Sequence, residues 1–251
     1  MLTFISLFAG IGGIDLGLER AGMRCVAQVE IDDYANRVLA KHWPNVPRFR
    51  DVREVGAHNL PQADVTAGGF PCQDISASGP RIGLAGQRSG LWFEFRRIIG
   101  ELRPRYVIVE NVADLLYRGV GTVLGDLAAL GYDAEWAVIS ACAFGAPHTR
   151  ERLFIVAYAQ STEWGPFSAA RRHMDNTHRS LRARQESTSW AAQRDYQVDA
   201  GAWASQSGVG RVVDGVPDRF HRLSGLGNAV IPQAAEFVGR AIVAHSQLET
   251  K

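Results

Sequence analysis

Short apolar runs alternate with segments of helical spacing over the first 158 residues, and this pattern restricts the fold more than any other feature of the chain. LTFISLF (2–8), RCVAQVE (24–30), DVTAGG (64–69), YVIVEN (106–111), WAVISA (136–141) and RLFIVAYA (152–159) read as strands. Between them IDLGLERAG (14–22), YANRVLAKHW (34–43), LWFEFRRIIGELR (91–103) and VLGDLAALG (123–131) read as helices, closed by Gly22, Pro44, Pro104 and Gly131. Strands separated by roughly one helix each predict an α/β fold with a mainly parallel sheet. Such sheets bind ligands beyond the carboxyl ends of their strands, so residues that end strands are the first candidates for function.

Other classes fit poorly. No apolar run approaches the roughly 18 residues of a membrane span. The apolar N-terminus, MLTFISLFAGIGG, lacks a basic leader and reads as a first buried strand, not a signal peptide. No membrane association and a reducing, cytoplasmic setting are therefore expected. Cys25, Cys72 and Cys142 are odd in number and far apart, without C-x-x-C or zinc spacing, so neither a disulfide framework nor a metal site is expected. The net charge is only +1, but residues 171–194 carry six arginines against Asp175 and Glu186. That cluster reads either as a nucleic-acid contact or as a solvated loop.

Three parts are expected along the chain. Residues 1–159 form the catalytic and cofactor-binding part. Residues 160–222, rich in Ser, Arg, Gln, His and Trp with weak periodicity, form a small irregular region. Residues 223–251 return to order, with Pro232 in a first helical turn and Ala235, Val238, Ile242 and Val243 on one face.

FAGIGG (8–13) follows the first strand and opens the first helix. Glycines there permit close backbone approach to a ligand, or simply tight packing. The dinucleotide fingerprint fails because Asp15 stands where its third glycine would be. Glu30 ends the second strand, where a carboxylate can accept from both hydroxyls of a ribose. Asp51, in FRDV, is placed to meet an adenine amino group or to be an ordinary loop acid.

GGFPCQDIS (68–76) puts Cys72 at the end of an apolar run, where Pro71 presets a turn. A thiol there is a soft nucleophile. Glu110 ends the buried run VIV, and desolvation raises a carboxyl pKa toward neutrality. In HTRERLF (148–154), Arg150 and Arg152 precede a strand at i and i+2, so alternation aims both one way. Asn111 shapes a turn. A thiol, an acid, two cations and an adenosine site suit thiolate addition to an electron-poor ring followed by group transfer.

FAGIGG, Glu30, Asp51, GGFPCQDIS, ENV (110–112), RERLF (150–154) and GNAVIP (227–232), in this order, resemble the DNA (cytosine-5) methyltransferases. The resemblance implies a Rossmann-like S-adenosylmethionine-dependent methyltransferase fold and cytosine in double-stranded DNA as the acceptor. It implies that Phe8, Gly10, Gly12, Gly13, Leu91 and Asn228 line the cofactor, with Glu30 on the ribose and Asp51 on the adenine. Cys72 would attack carbon-6 of a flipped cytosine, Glu110 would hold ring nitrogen-3 and the amino group, and Arg152, supported by Arg150, would bind the exocyclic oxygen. Residues 73–90 resemble a loop that closes over DNA, and 160–222 take the place of target recognition. A monomer is expected, with a cognate restriction endonuclease among the partners compatible with the family.

The chain departs from the family at Ser6, where an aspartate is frequent, and at His148, where a glutamine is frequent. The arginine-containing motif usual before the last block is replaced by SGVGRVVDGVPDRFHRL (207–223). An RNA cytosine-5 methyltransferase, a non-enzymatic DNA-binding relative and a nicotinamide oxidoreductase are the alternatives. The last is opposed by the missing glycine and leaves Cys72 without a role.

Overall fold

A computed structural model describes residues 1–71, 90–159 and 229–248. Seven strands form one sheet: β1 (Thr3–Leu7), β2 (Arg24–Val29), β3 (Arg48–Phe49), β4 (Val65–Gly68), β5 (Tyr106–Val112), β6 (Tyr132–Ser140) and β7 (Glu151–Ala159). Their order is β3-β2-β1-β4-β5-β7-β6. The first five in that order are parallel neighbours, whereas β7 runs antiparallel between β5 and β6. The mainly parallel α/β sheet expected from the alternation is therefore present. The reversed strand is an addition that the alternation does not announce.

The helices are α1 (Gly13–Arg20), α2 (Asp33–His42), α3 (Leu91–Leu102), α4 (Leu115–Arg118), α5 (Val120–Ala129) and α6 (Pro232–Leu248). Their ends follow local chemistry. Asp32 caps α2 by accepting from the Ala35 N–H at 2.8 Å. In α3, Trp92, Phe95, Ile98, Ile99 and Leu102 are buried at helical spacing, and Pro104 follows its end. The Trp92 indole N–H donates to Asp126 of α5 at 2.8 Å, so this fully buried ring also satisfies its polar atom. Helix α5 and strand β6 each begin earlier than the apolar runs suggest.

Alternation along the strands gives the sheet two apolar faces. Ile5, Leu7, Val107, Val109, Leu153 and Ile155 pack with α3, α4 and α5. Phe4, Val65, Tyr106, Ile108, Phe154 and Val156 pack with α1 and α6. Ala235, Val238 and Ile242 of α6 are buried as expected, Val243 is half-buried, and Gly239 admits Ala21 and Leu18 closely. Among the described residues no helix is long and apolar enough to cross a membrane.

Candidate active site

The parallel strands all finish on one edge of the sheet. The residues after β1, β2, β3 and β4 and the last residues of β5 lie there, and the reversal of β7 brings its first residues to the same edge.

Phe8 and Gly10 adopt φ of 54° and 56°, and Gly12 adopts 84°, so the chain turns sharply between β1 and α1. The turn is tied to β2 twice: the Ala9 N–H donates to Val29 O at 3.1 Å, and the Gly10 N–H donates to Glu30 Oε2 at 2.6 Å. Glu30 Oε1 accepts from the Asp32 N–H at 2.8 Å. The four glycine-turn residues differ in what they require. A Cβ on Gly10 would meet nothing within 4 Å, so open space lies beside it. A Cβ on Gly12 would strike Trp43, and one on Gly13 would strike the carbonyl oxygen of Val230. Phe8 packs tilted against Phe95 with ring centroids 6.2 Å apart. The space beside Gly10, the carboxylate of Glu30 and the half-buried backbone at Gly10 and Ile11 fit an adenosine-type ligand.

Asp51 follows β3 on this edge, but its carboxylate is engaged locally. It accepts from the Arg53 N–H at 2.9 Å and from Nε and Nη2 of Arg53, with the shortest contact 2.6 Å. These bonds hold its carboxyl below the usual carboxylate range. An adenine amino group would have to share or displace Arg53. Leu91 opens α3 and is half-buried. Asn228, like Cys72, the 73–90 loop expectation as far as residue 89, the 160–222 region and the Arg171–Arg194 cluster, lies outside the described residues.

Glu110 is buried near the end of β5, and its Oε1 lies 2.9 Å from Nε of Arg152. The pair is diagonal across β5 and β7: Glu110 faces Phe154, and Arg152 faces Val112. Burial pushes the Glu110 carboxyl up to about 7, against the opposing charges of Arg152 and then Arg150. Both arginines thus act on the same acid, although β7 already begins at Glu151 and Arg152 lies within it. A carboxyl near its midpoint at neutral pH can give or take a proton. The Asn111 amide donates to Phe70 O at 3.1 Å, and Asn111 Oδ1 accepts from the Val112 N–H at 2.9 Å. This fastens the segment leading toward Cys72 to the strand that carries the acid; Asn111 itself lies within β5 and does not shape a turn after Glu110 as expected, because the strand continues to Val112.

Two features escape sequence reasoning. A Cβ on Gly69 would lie well inside 3.0 Å of Glu110 Oε2, so this glycine makes room for the acid. The doublet Gly68–Gly69 before Phe70 was the available signal. Asp15 is fully buried under the turn and bonded to Ser6 and Gln28. Its position in the failed fingerprint marked it only as a missing glycine.

The profile of the C-5 cytosine-specific DNA methylase family matches residues 2–209. The type II methyltransferase M.BsuFI of Bacillus subtilis is 37% identical over 179 residues, 70% of this chain and 44% of that protein. M.HhaI of Haemophilus parahaemolyticus is 35% identical over 161 residues, covering 62% of this chain and 49% of its own length. The alignments span less than half the length of either relative. Among solved structures, a prophage-encoded DNA modification methyltransferase from Escherichia coli superposes with a TM-score of 0.55 at 30% identity, over 64% of this chain and 47% of that one. The S. pombe Dnmt2 methyltransferase gives 0.55 at 21% identity, over 65% and 53% respectively, and shows the same fold. With the glycine turn, Glu30 and the Glu110–Arg152 pair all on one edge of this sheet, and a profile match over most of its length, the chain belongs to the C-5 cytosine-specific DNA methylase family.

Proposed function

We propose that the chain is a DNA (cytosine-5-)-methyltransferase that uses S-adenosylmethionine and acts on a cytosine flipped out of double-stranded DNA. The observation that carries this reading is Glu110: a buried carboxyl with a pKa raised to about 7, paired with Arg152 on the edge that also bears the glycine turn. Phe8, Gly10, Gly12, Gly13, Glu30, Asp51, Leu91 and Asn228 would hold the cofactor, which supplies the methyl group when bound.

The remaining chemistry belongs to this chain's residues. The Cys72 thiolate forms a bond to carbon-6 of cytosine, and Glu110 places its proton on ring nitrogen-3, so the added electron pair leaves carbon-5 nucleophilic. Arg152 holds the exocyclic oxygen with Arg150 beside it. After methylation a base removes the carbon-5 proton, elimination expels the thiolate, and ring nitrogen-3 returns its proton to Glu110, which restores the ring. Extrusion of the base costs a few kcal/mol and needs contacts from elsewhere in the chain. Residues 160–222, with the Arg171–Arg194 cluster, are assigned to phosphate and base-edge contacts. The reading is of a cytoplasmic monomer, with a cognate endonuclease on the same site as the partner it would protect DNA from.

A duplex containing 5-fluorocytosine, incubated with the full chain and S-adenosylmethionine, tests this. The fluorine cannot leave as a proton does, so a covalent adduct should accumulate at Cys72, and Cys72→Ser should abolish it. An adduct at Cys25 or Cys142, or methyl transfer to tRNA and not to DNA, would overturn the assignment.

A further inference from the structure

Asp15 is a carboxylate that the chemistry above does not use. It sits in the first turn of α1 with no solvent exposure. Its Oδ2 accepts from the Ser6 hydroxyl at 2.9 Å, and its Oδ1 accepts from Gln28 Nε2 at 2.8 Å, with Cys25 Sγ 3.7 Å from Oδ1. Ser6 and Gln28 stand opposite one another across β1 and β2. One side chain therefore joins both strands that bracket the glycine turn to the helix into which the turn runs. The Ala9–Val29 and Gly10–Glu30 bonds fix the entry of that turn. Asp15 fixes its exit, together with the Gly12 N–H bond to Ala9 O at 3.0 Å.

The protonation state matters to this tie. An ionised carboxylate only accepts, and both Ser6 and Gln28 donate to it. A protonated one carries an O–H that needs an acceptor of its own; Ser6 Oγ, 2.9 Å away, can take that part only by turning its own hydrogen away, so the carboxyl no longer gathers two donors. Gln28 Oε1 is buried and without a hydrogen-bond partner. Reaching it requires the Gln28 amide to turn over, which withdraws Nε2 from Asp15.

We propose that Asp15 is a positioning residue for the glycine turn, and that its protonation loosens the turn's hold on an S-adenosyl ligand. The identity of the ligand rests on the methyltransferase reading; the tie itself does not. Burial pushes the Asp15 carboxyl up to about 6, opposed by its bonds from Gln28 and Ser6. Cys25 on β2 is the titratable group in contact with it; Glu19 lies further along α1 and acts on Cys25, and Glu236 with its partner Arg240 lies on α6, which packs against α1. The Cys25 thiol is driven far above its usual range by burial, then by Asp15 and Glu19, and stays protonated.

Calorimetric titration of the full chain with S-adenosylhomocysteine, without DNA, from pH 5 to 8 tests the proposal. If ligand binding lowers the Asp15 pKa by about one unit, from about 6, affinity falls about fivefold from the upper to the lower end of that range. Asp15→Asn should hold its affinity within about twofold across the range, at the level of the wild type near pH 5. Ser6→Ala removes a donor to the carboxylate and should move the wild-type midpoint to higher pH, and Ser6→Thr should restore it. This second pair keeps the proposal testable if Asp15→Asn does not fold. A wild type that binds with flat affinity overturns the role of Asp15 alone, as does a pH slope that survives in Asp15→Asn or a midpoint that ignores Ser6→Ala. A wild type that binds at no pH overturns the methyltransferase reading and this proposal with it.

Discussion

Gly69→Ala isolates the placement of the acid from the rest of the fold. The backbone at Gly69 does not occupy the left-handed region, so alanine is permitted there and only its methyl group matters. That methyl would overlap Glu110 Oε2, whose neighbour Oε1 is held 2.9 Å from Arg152 Nε. The carboxyl end of a glutamate can swing, but this one is only 8% exposed, and its displacement lengthens the bond to Arg152. A shift on the order of 1 Å in a reacting group costs on the order of 100-fold in rate. The local overpacking costs about 1–3 kcal/mol of stability. Single-turnover transfer of a labelled methyl group to plasmid DNA should therefore slow by about 100-fold, with affinity for S-adenosylhomocysteine unchanged within about twofold. Gly68→Ala is the contrast, because its methyl would meet the Leu7 backbone oxygen of the adjacent strand and should lower the melting temperature. Undiminished turnover in a folded Gly69→Ala protein would show that the acid does not depend on this gap, and the account of Glu110 would fall.

Two other perturbations read the same edge. The Arg152 charge is the largest influence holding the Glu110 pKa down, so Arg152→Ala should push it further above about 7. The alkaline limb of the pH–rate profile, where loss of the Glu110 proton slows transfer, should move to higher pH while the maximal rate drops; a limb that stays in place would remove Glu110 as its source. Gly13→Ala would drive a methyl group into Val230 O, separating the lead into α6 from the glycine turn. A loss of about 1–3 kcal/mol in urea denaturation is expected, together with weaker S-adenosylhomocysteine binding.

Much of this arrangement was legible in the sequence because it depends on local pattern. Period-two burial and glycine or proline stops located most strands and helices, and the strand-end rule brought Glu30 and Glu110 to one edge. What was not legible depends on partners distant along the chain. Nothing near residue 152 says that its strand lies between β5 and β6 and not outside them, yet this placement makes the ion pair with Glu110. Asp51 was read by its position after β3, but Arg53, two residues on, takes both its carboxylate oxygens. The departure at Ser6 was visible as a departure only. Its meaning required Asp15, 2.9 Å away across a buried contact. A carboxylate at position 6 would confront that of Asp15, so the hydroxyl and the buried acid belong together.

The antiparallel course of β7 has a further consequence for how this architecture tolerates change. Because the strand enters at the reactive rim, the hairpin connection at residues 141–150 lies on that rim: it begins with the buried Ala141 and Phe144 and ends with Arg150, whose charge acts on Glu110, so only its middle can change length without disturbing the two charged side chains. Sliding the strand by a single residue is another matter: it would turn the guanidinium of residue 152 through the sheet to the side covered by α3 and α5, and leave the acid facing leucine. Insertions between Gly145 and His148 should thus disturb chemistry least, whereas a deletion within 151–159 should silence it even when the protein still folds.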